Sequence, residues 1–267
     1  MLAFPHIIAI ALIQGITEFL PVSSSGHLVL LPALTEFADQ GQHLDVAAHM
    51  GTLGAVLLYF YKDIWAIIIG VLTRGKQQAE AGRLGWLVLL ASLPVMAVGL
   101  LIEMWDPAFL RLALTVAIAN IIFALWLWRA DKQPAERPLS ALSVRHAFLI
   151  GLAQILALIP GASRSGVTMT AARQFGYERL GAARFSLLLS IPVILAAGTV
   201  KSISLVRDTG LFITSDSLWV AGLSFITALI AIRLMMGWLA KADFRIFVFY
   251  RLILGAGLLG ALALGLI

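Results

Sequence analysis

The 267 residues are 61% hydrophobic and 12% charged, with a mean hydropathy of +0.97 and a formal net charge of +5. A soluble domain carries about 25% charged residues and roughly half apolar ones, so this composition excludes a soluble fold and defines an integral membrane protein. The absence of Cys excludes disulfides, thiolate metal sites and Cys nucleophiles.

Apolar runs near 20 residues predict an all-α membrane protein rather than a barrel, whose strands would alternate over about ten residues. The length leaves room for six to eight spans and no separate soluble domain. The first residues carry neither a basic segment nor a cleavage site, so no removed signal peptide is expected. No nucleic-acid surface, dinucleotide fingerprint or P-loop is present, and the positive charge reads as basic cytoplasmic loops.

In chain order, an apolar run from Ala3 ends at Pro21, which disfavours helix at Leu20. A polar island follows, from Gln14 to His27, holding Glu18, Thr17, Ser23, Ser24 and Ser25. Only Leu28 to Leu34 is apolar before Glu36 and Asp39. Seven helical residues rise about 10 Å against a hydrocarbon core of about 30 Å. Residues 3–34 therefore read as a re-entrant helix pair. Spans are expected at 46–61, 84–102 and 108–128, with 62–83 as an inner loop. The Pro-containing stretch 131–146 is the boundary between halves. A second short pair occupies 147–175, broken at the island Pro160 to Gly166, and spans follow at 185–206, 218–240 and 247–267. About six full spans and ten helices are expected, in two repeats at 1–130 and 147–267.

The islands correspond residue by residue. Gln14 and Gly26 lie twelve apart, as do Gln154 and Gly166, and the offset between the two pairs is 140. Three spans per half is odd, so the second copy enters from the opposite face, an inverted-topology repeat. Charge supports this. With the N-terminus outside, thirteen of the 19 Lys and Arg fall on inner segments, and only Arg111, Lys201 and Arg207 on outer ones. Both termini are then outside.

Polar groups at membrane depth are costly and usually functional. Gln14 and Glu18, four apart on a helix, share a face and suit Mg²⁺ or Ca²⁺ if a phosphate and waters complete the oxygen shell. The plainer role for this pair is an interhelical hydrogen bond. His27, three residues after Ser24, is expected to reach that hydroxyl and activate it. The serines could equally satisfy backbone groups at the helix break. His6, His43, His49 and His146 read as packed or surface groups. Arg164 keeps its charge at depth and its fork suits phosphate oxygens, with Ser163, Ser165 and Thr168 as added donors. Its alternative role is an ion pair with Glu18. Gly161, Gly166 and Gly26 fit tight tips.

The spacing Gln14–Glu18 ahead of Pro21–Val22–Ser23–Ser24–Ser25–Gly26–His27, with Pro160–Gly161–Ala162–Ser163–Arg164–Ser165 and Thr168, resembles the bacterial undecaprenyl-pyrophosphate phosphatase family, the bacitracin-resistance proteins. The resemblance covers essentially the whole chain. It implies an inner-membrane phosphatase that removes the terminal phosphate of a polyprenyl pyrophosphate. That reaction regenerates undecaprenyl phosphate for cell-wall synthesis, using Mg²⁺ or Ca²⁺ and acting from the outer side. By position it assigns Glu18 and Gln14 to metal. Ser24, His27, Glu18 and Arg164 would carry the catalysis. Arg164, Ser163, Ser165, Thr168, Ser23, Ser25 and Gly161 would bind the substrate. Gln14 stands where the family takes Gln or Glu, leaving one fewer charge for the metal. The mechanism expected is attack by Ser24, deprotonated by His27, with direct water attack as its rival. The competing class is a secondary transporter or lipid flippase on the same scaffold. A homodimer is compatible with the sequence.

Overall fold

The computed structural model describes residues 3–34, 41–73, 79–105, 112–208 and 213–266. Ser25 lies within a described helix, but its side chain falls outside the description, as do residues 35–40, 74–78, 106–111 and 209–212.

Helix α1 (Phe4–Thr17) starts at a proline in its first turn, where a missing N–H costs nothing, and ends before the first tip. Helix α2 (Ser24–Leu34) returns from that tip. The 14 residues of α1 and the 11 of α2 rise about 21 Å and about 16 Å, so neither reaches the hydrocarbon thickness, and the pair is short as the sequence predicts. Helices α3 (Gln42–Tyr59) and α4 (Tyr61–Thr73) follow, bent by 78° at their junction. The expected loop at 62–83 is thus corrected. Phe60 leaves helical geometry, and the apolar run 64–72 continues as a separate helix. The described residues hold eleven α-helices where ten were expected, and the additional one is α4.

Helices α5 (Ala79–Trp105) and α6 (Ala113–Asp131) follow. After the linker come α7 (Val144–Gln154), a 3-10 turn (Ile155–Leu158), a second tip and α8 (Arg164–Gln174). Helices α9 (Arg179–Asp208), α10 (Ser215–Leu239) and α11 (Arg245–Ala263) finish the chain. Among the described residues, five helices are long and apolar enough to cross a membrane, or six if the bent α3–α4 pair is one span. The protein is a multi-pass all-α membrane protein. Helices α1 and α7 begin 140 residues apart, as do α2 and α8.

Close helix contacts are made at glycine. A Cβ on Gly51 of α3 would come within 2.1 Å of the Ala221 carbonyl oxygen on α10, and one on Gly151 of α7 within 2.5 Å of the Ala91 oxygen on α5. Small residues let helix backbones touch where apolar burial gives no net drive in lipid. Helices α1 and α3 pack against α10, and α7 packs against α5. Phe19 and Val22 of the first tip are buried in the main core cluster with Met169 and Ala172 of α8.

At the far end of α8, Arg173 is wholly buried. Its Nε donates to Asp131 Oδ1 at 3.2 Å, and Arg179 Nε donates to the same oxygen at 2.7 Å. Asp131 Oδ2 accepts from the Phe244 backbone N–H at 3.1 Å. One carboxylate at the end of α6 therefore ties together α8, α9 and the start of α11. A buried ion pair holds only when its remaining donors are also satisfied, and here Arg173 also donates to the carbonyls of Tyr177 and Gln133.

Candidate active site

The two tips meet through twinned turns. Ser23 (φ 76°) and Ser163 (φ 71°) are the only non-glycine residues with positive φ among those described. Such a backbone costs about 1–3 kcal/mol and persists only where surrounding bonds hold it. They are present. Ser23 Oγ accepts from Gly26 N at 3.2 Å and Ser163 Oγ from Gly166 N at 3.1 Å, capping α2 and α8 in the same way. Ser23 Oγ also accepts from Gly161 N at 3.2 Å, and Ser165 Oγ donates to the Leu20 carbonyl at 2.8 Å. Each tip's serine therefore bonds the other tip's backbone.

Glu18 stands at the junction, only 8% exposed. Its Oε2 accepts from Gln14 Nε2 at 3.0 Å and from Ser24 Oγ at 2.7 Å. Its Oε1 accepts from Arg164 Nη2 at 3.2 Å, across 146 positions of sequence. Arg164 Nη1 donates to the Ser186 carbonyl at 3.3 Å, and the Phe19 ring lies 5.9 Å from its guanidinium carbon. The ion pair left open by the sequence as an alternative for Arg164 is present.

Other expected residues are placed differently. The Nδ1 of His27 lies 2.6 Å from the Ser23 carbonyl and its Nε2 lies 2.5 Å from the Tyr250 hydroxyl. The expected His27–Ser24 bond is corrected: on a starting helix the imidazole leans back over the preceding turn, onto residue i−4, while Ser24 turns to Glu18. Ser163, Ser165 and Ser23 spend their hydroxyls on the tips themselves, and Thr168 on the Arg164 carbonyl (2.9 Å) and Ser186 Oγ (2.7 Å). Gly161 adopts φ 93°, and a Cβ there would meet the Val116 oxygen at 2.6 Å.

Two residues outside the expected set enter the site. His49, expected to be a packed or surface group, lies on α3 with Nε2 3.8 Å from Glu18 Oε2 and Nδ1 2.7 Å from the Asp45 carbonyl. Arg251 of α11 is fully buried and donates to the carbonyls of Gly161 (2.7 Å), Ala162 (2.9 Å) and Pro21 (3.3 Å), so one guanidinium clasps both tips. Its signal was available: an arginine inside the span at 247–267 carries the same depth argument as Arg164.

No group of three or more His, Cys, Asp and Glu side chains gathers as a metal site among the described residues. The donor set that suits a hard divalent ion is the Glu18 carboxylate with Gln14 Oε1, which is buried with no hydrogen-bond partner. An orphaned amide oxygen beside a carboxylate fits such an ion.

A family profile described as "Bacitracin resistance protein BacA" matches residues 7–257. Among curated relatives, the undecaprenyl-diphosphatase of Roseobacter denitrificans is 46% identical over 258 residues, covering 95% of this chain and 97% of the relative. That of Maricaulis maris is 48% identical over 261 residues, covering 95% and 97%. That of Chromohalobacter salexigens is 46% identical over 259 residues, with the same coverage. The chain belongs to the BacA family of bacitracin resistance proteins.

Proposed function

We infer that the chain is an undecaprenyl-diphosphatase, hydrolysing undecaprenyl pyrophosphate to undecaprenyl phosphate and inorganic phosphate. The observation that carries this reading is the convergence on Glu18 of a hydroxyl from its own tip and a guanidinium from the other. A nucleophile, a proton acceptor and a phosphate clamp then lie within one hydrogen-bond shell.

In the proposed mechanism, Ser24 Oγ attacks the distal phosphorus in line. Its proton already points at Glu18 Oε2, so the carboxylate takes it rather than His27. The anhydride P–O bond breaks and undecaprenyl phosphate leaves. Water then attacks the phosphoserine, the P–Oγ bond breaks, Glu18 returns its proton to Ser24 Oγ, and inorganic phosphate carrying the water oxygen leaves. Arg164 exchanges its bonds to Glu18 and the Ser186 carbonyl for phosphate oxygens, stabilising charge as it develops. His27 and Tyr250 hold the first tip in place. Glu18 and Gln14 would hold Mg²⁺ or Ca²⁺, which when bound supplies further charge neutralisation at the pyrophosphate. The halves 1–130 and 147–267 serve as inverted copies. The enzyme works from the outer face of the bacterial inner membrane with both termini outside.

The test is phosphate release from undecaprenyl pyrophosphate by detergent-purified protein, with Mg²⁺ or Ca²⁺ and after chelation. One phosphate per lipid, abolished in Glu18→Ala, supports the assignment. No release with either ion, together with lipid transfer across sealed vesicles, overturns it in favour of a transporter. A phosphorylated protein trapped from labelled substrate, absent in Ser24→Ala, separates covalent from direct water attack.

A further inference from the structure

The imidazole of His49 is a part of this site for which neither motif accounts. Its Nδ1 lies 2.7 Å from the Asp45 carbonyl oxygen. A carbonyl oxygen only accepts, so Nδ1 carries the hydrogen and donates. In the neutral ring the other nitrogen, Nε2, then presents a lone pair. That lone pair faces Glu18 Oε2 at 3.8 Å. This is too long for a hydrogen bond. Two acceptors facing each other repel unless a proton on the ring or a metal cation lies between them.

The separation suits a metal ion. Two ligands each about 2.1 Å from one ion lie no more than about 4.2 Å apart. Metal-bound histidines characteristically donate their second ring N–H to a backbone carbonyl or carboxylate, which fixes the tautomer and the ring orientation. The Asp45 carbonyl supplies that acceptor in advance. Gln14 donates its Nε2 to the same Glu18 Oε2 at 3.0 Å, and its buried Oε1 has no hydrogen-bond partner. The side chain of His49 is 38% exposed, so this ligand position is not sealed by packing.

We propose that His49 Nε2 is a third protein ligand, with Glu18 and Gln14, for the divalent cation of this enzyme. The proposal deepens the phosphatase reading and rests on it only for the cation's use in catalysis. A carboxylate and an amide form a purely oxygen site suited to Mg²⁺ or Ca²⁺. Adding an imidazole moves the preference toward Mn²⁺ or Zn²⁺, which accept nitrogen readily. In this chain the imidazole offsets the donor that is weakened where Gln14 replaces a carboxylate.

The experiment uses the full-length protein in detergent with Mn²⁺ as the probe. Electron paramagnetic resonance gives the Mn²⁺ affinity, and pulsed measurements read nitrogen coupling to the bound ion. Wild type is expected to show imidazole ¹⁴N coupling. His49→Gln is expected to lose it, with Mn²⁺ affinity falling roughly 10–100-fold and Ca²⁺ affinity changing much less. His49→Ala should behave alike, and thermal melts without metal confirm that both variants fold. If wild type binds no Mn²⁺, or binds it without imidazole coupling and with the same affinity as His49→Gln, His49 is not a ligand. Phosphate release is measured on the same samples. Coupling without release sinks the phosphatase reading and leaves the ligand standing, while release without coupling does the reverse.

Discussion

Glu18 and Arg164 are paired at 3.2 Å although 146 positions separate them, each near the point where its own tip breaks a helix. Both side chains are mostly buried, at 7% and 13% exposure. Removing one partner leaves an uncompensated charge at depth. Arg164→Met should therefore lower stability by about 3 kcal/mol, and adding Glu18→Gln should recover part of that loss. Thermal melts of the two single variants and the double variant in detergent measure the coupling.

Activity should respond to Arg164 more strictly than stability does. Arg164 reaches the Ser186 carbonyl with one nitrogen and Glu18 with the other. A lysine ammonium is a point charge that cannot reproduce the fork. Arg164→Lys is expected to fold and to lose about 100-fold or more in kcat. Near-normal turnover in this variant would remove the clamp role.

Ser23 and Ser24 are adjacent and should separate cleanly. Ser24→Ala loses one bond to Glu18 and should melt within about 1 kcal/mol of wild type while losing turnover. Ser23→Ala leaves the N–H groups of Gly26 and Gly161 without their acceptor and keeps the positive φ, so about 2 kcal/mol of stability should go. Parallel melts and phosphate assays decide. A Ser24→Ala protein that turns over normally would pass the nucleophile role to another group.

Arg251 offers a prediction of a different kind. Its guanidinium meets three backbone carbonyls on two tips, and Nε is buried without a partner. Arg251→Lys has too few donors in the right plane to serve all three carbonyls. The expected outcome is a drop in melting temperature together with lost activity. An Arg251→Lys variant that melts and turns over like wild type would show the tips to be held by their serines alone.

Orientation is testable because the chain has no Cys. Ser215, exposed at the start of α10, and Glu136, exposed in the linker, lie on opposite sides in the proposed topology. In intact cells an impermeant maleimide should label Ser215→Cys directly and Glu136→Cys only after permeabilisation. The reverse pattern would invert the assignment.

The tips were legible in the sequence because the membrane makes polar residues expensive, so Gln14, Glu18, Ser24 and Arg164 stood out against apolar runs. The 140-residue offset matched helix starts at Phe4 and Val144 and at Ser24 and Arg164. His49 could not be found this way. It is a single imidazole on an otherwise ordinary helix, and only the packing of α3 brings it to Glu18. The His27–Ser24 pairing misled because sequence spacing gives proximity but not the direction a helical side chain leans. Helix α4 was missed because Lys62 and Asp63 look like a loop, whereas they begin a new helix after the bend at Phe60.

The carboxylate of Asp131 has a mechanical consequence. Held by Arg173, Arg179 and the Phe244 backbone, it welds the end of α6 to α8, α9 and the start of α11. A carrier that alternates its access by rocking one half on the other needs a compliant joint. Opening this one would strand at least one buried charge, at about 3–5 kcal/mol, a penalty that lowers the population of a rocked state by about 10²–10³-fold or more. A hydrolase loses nothing by such stiffness, because its two tips must stay in register while only the lipid comes and goes.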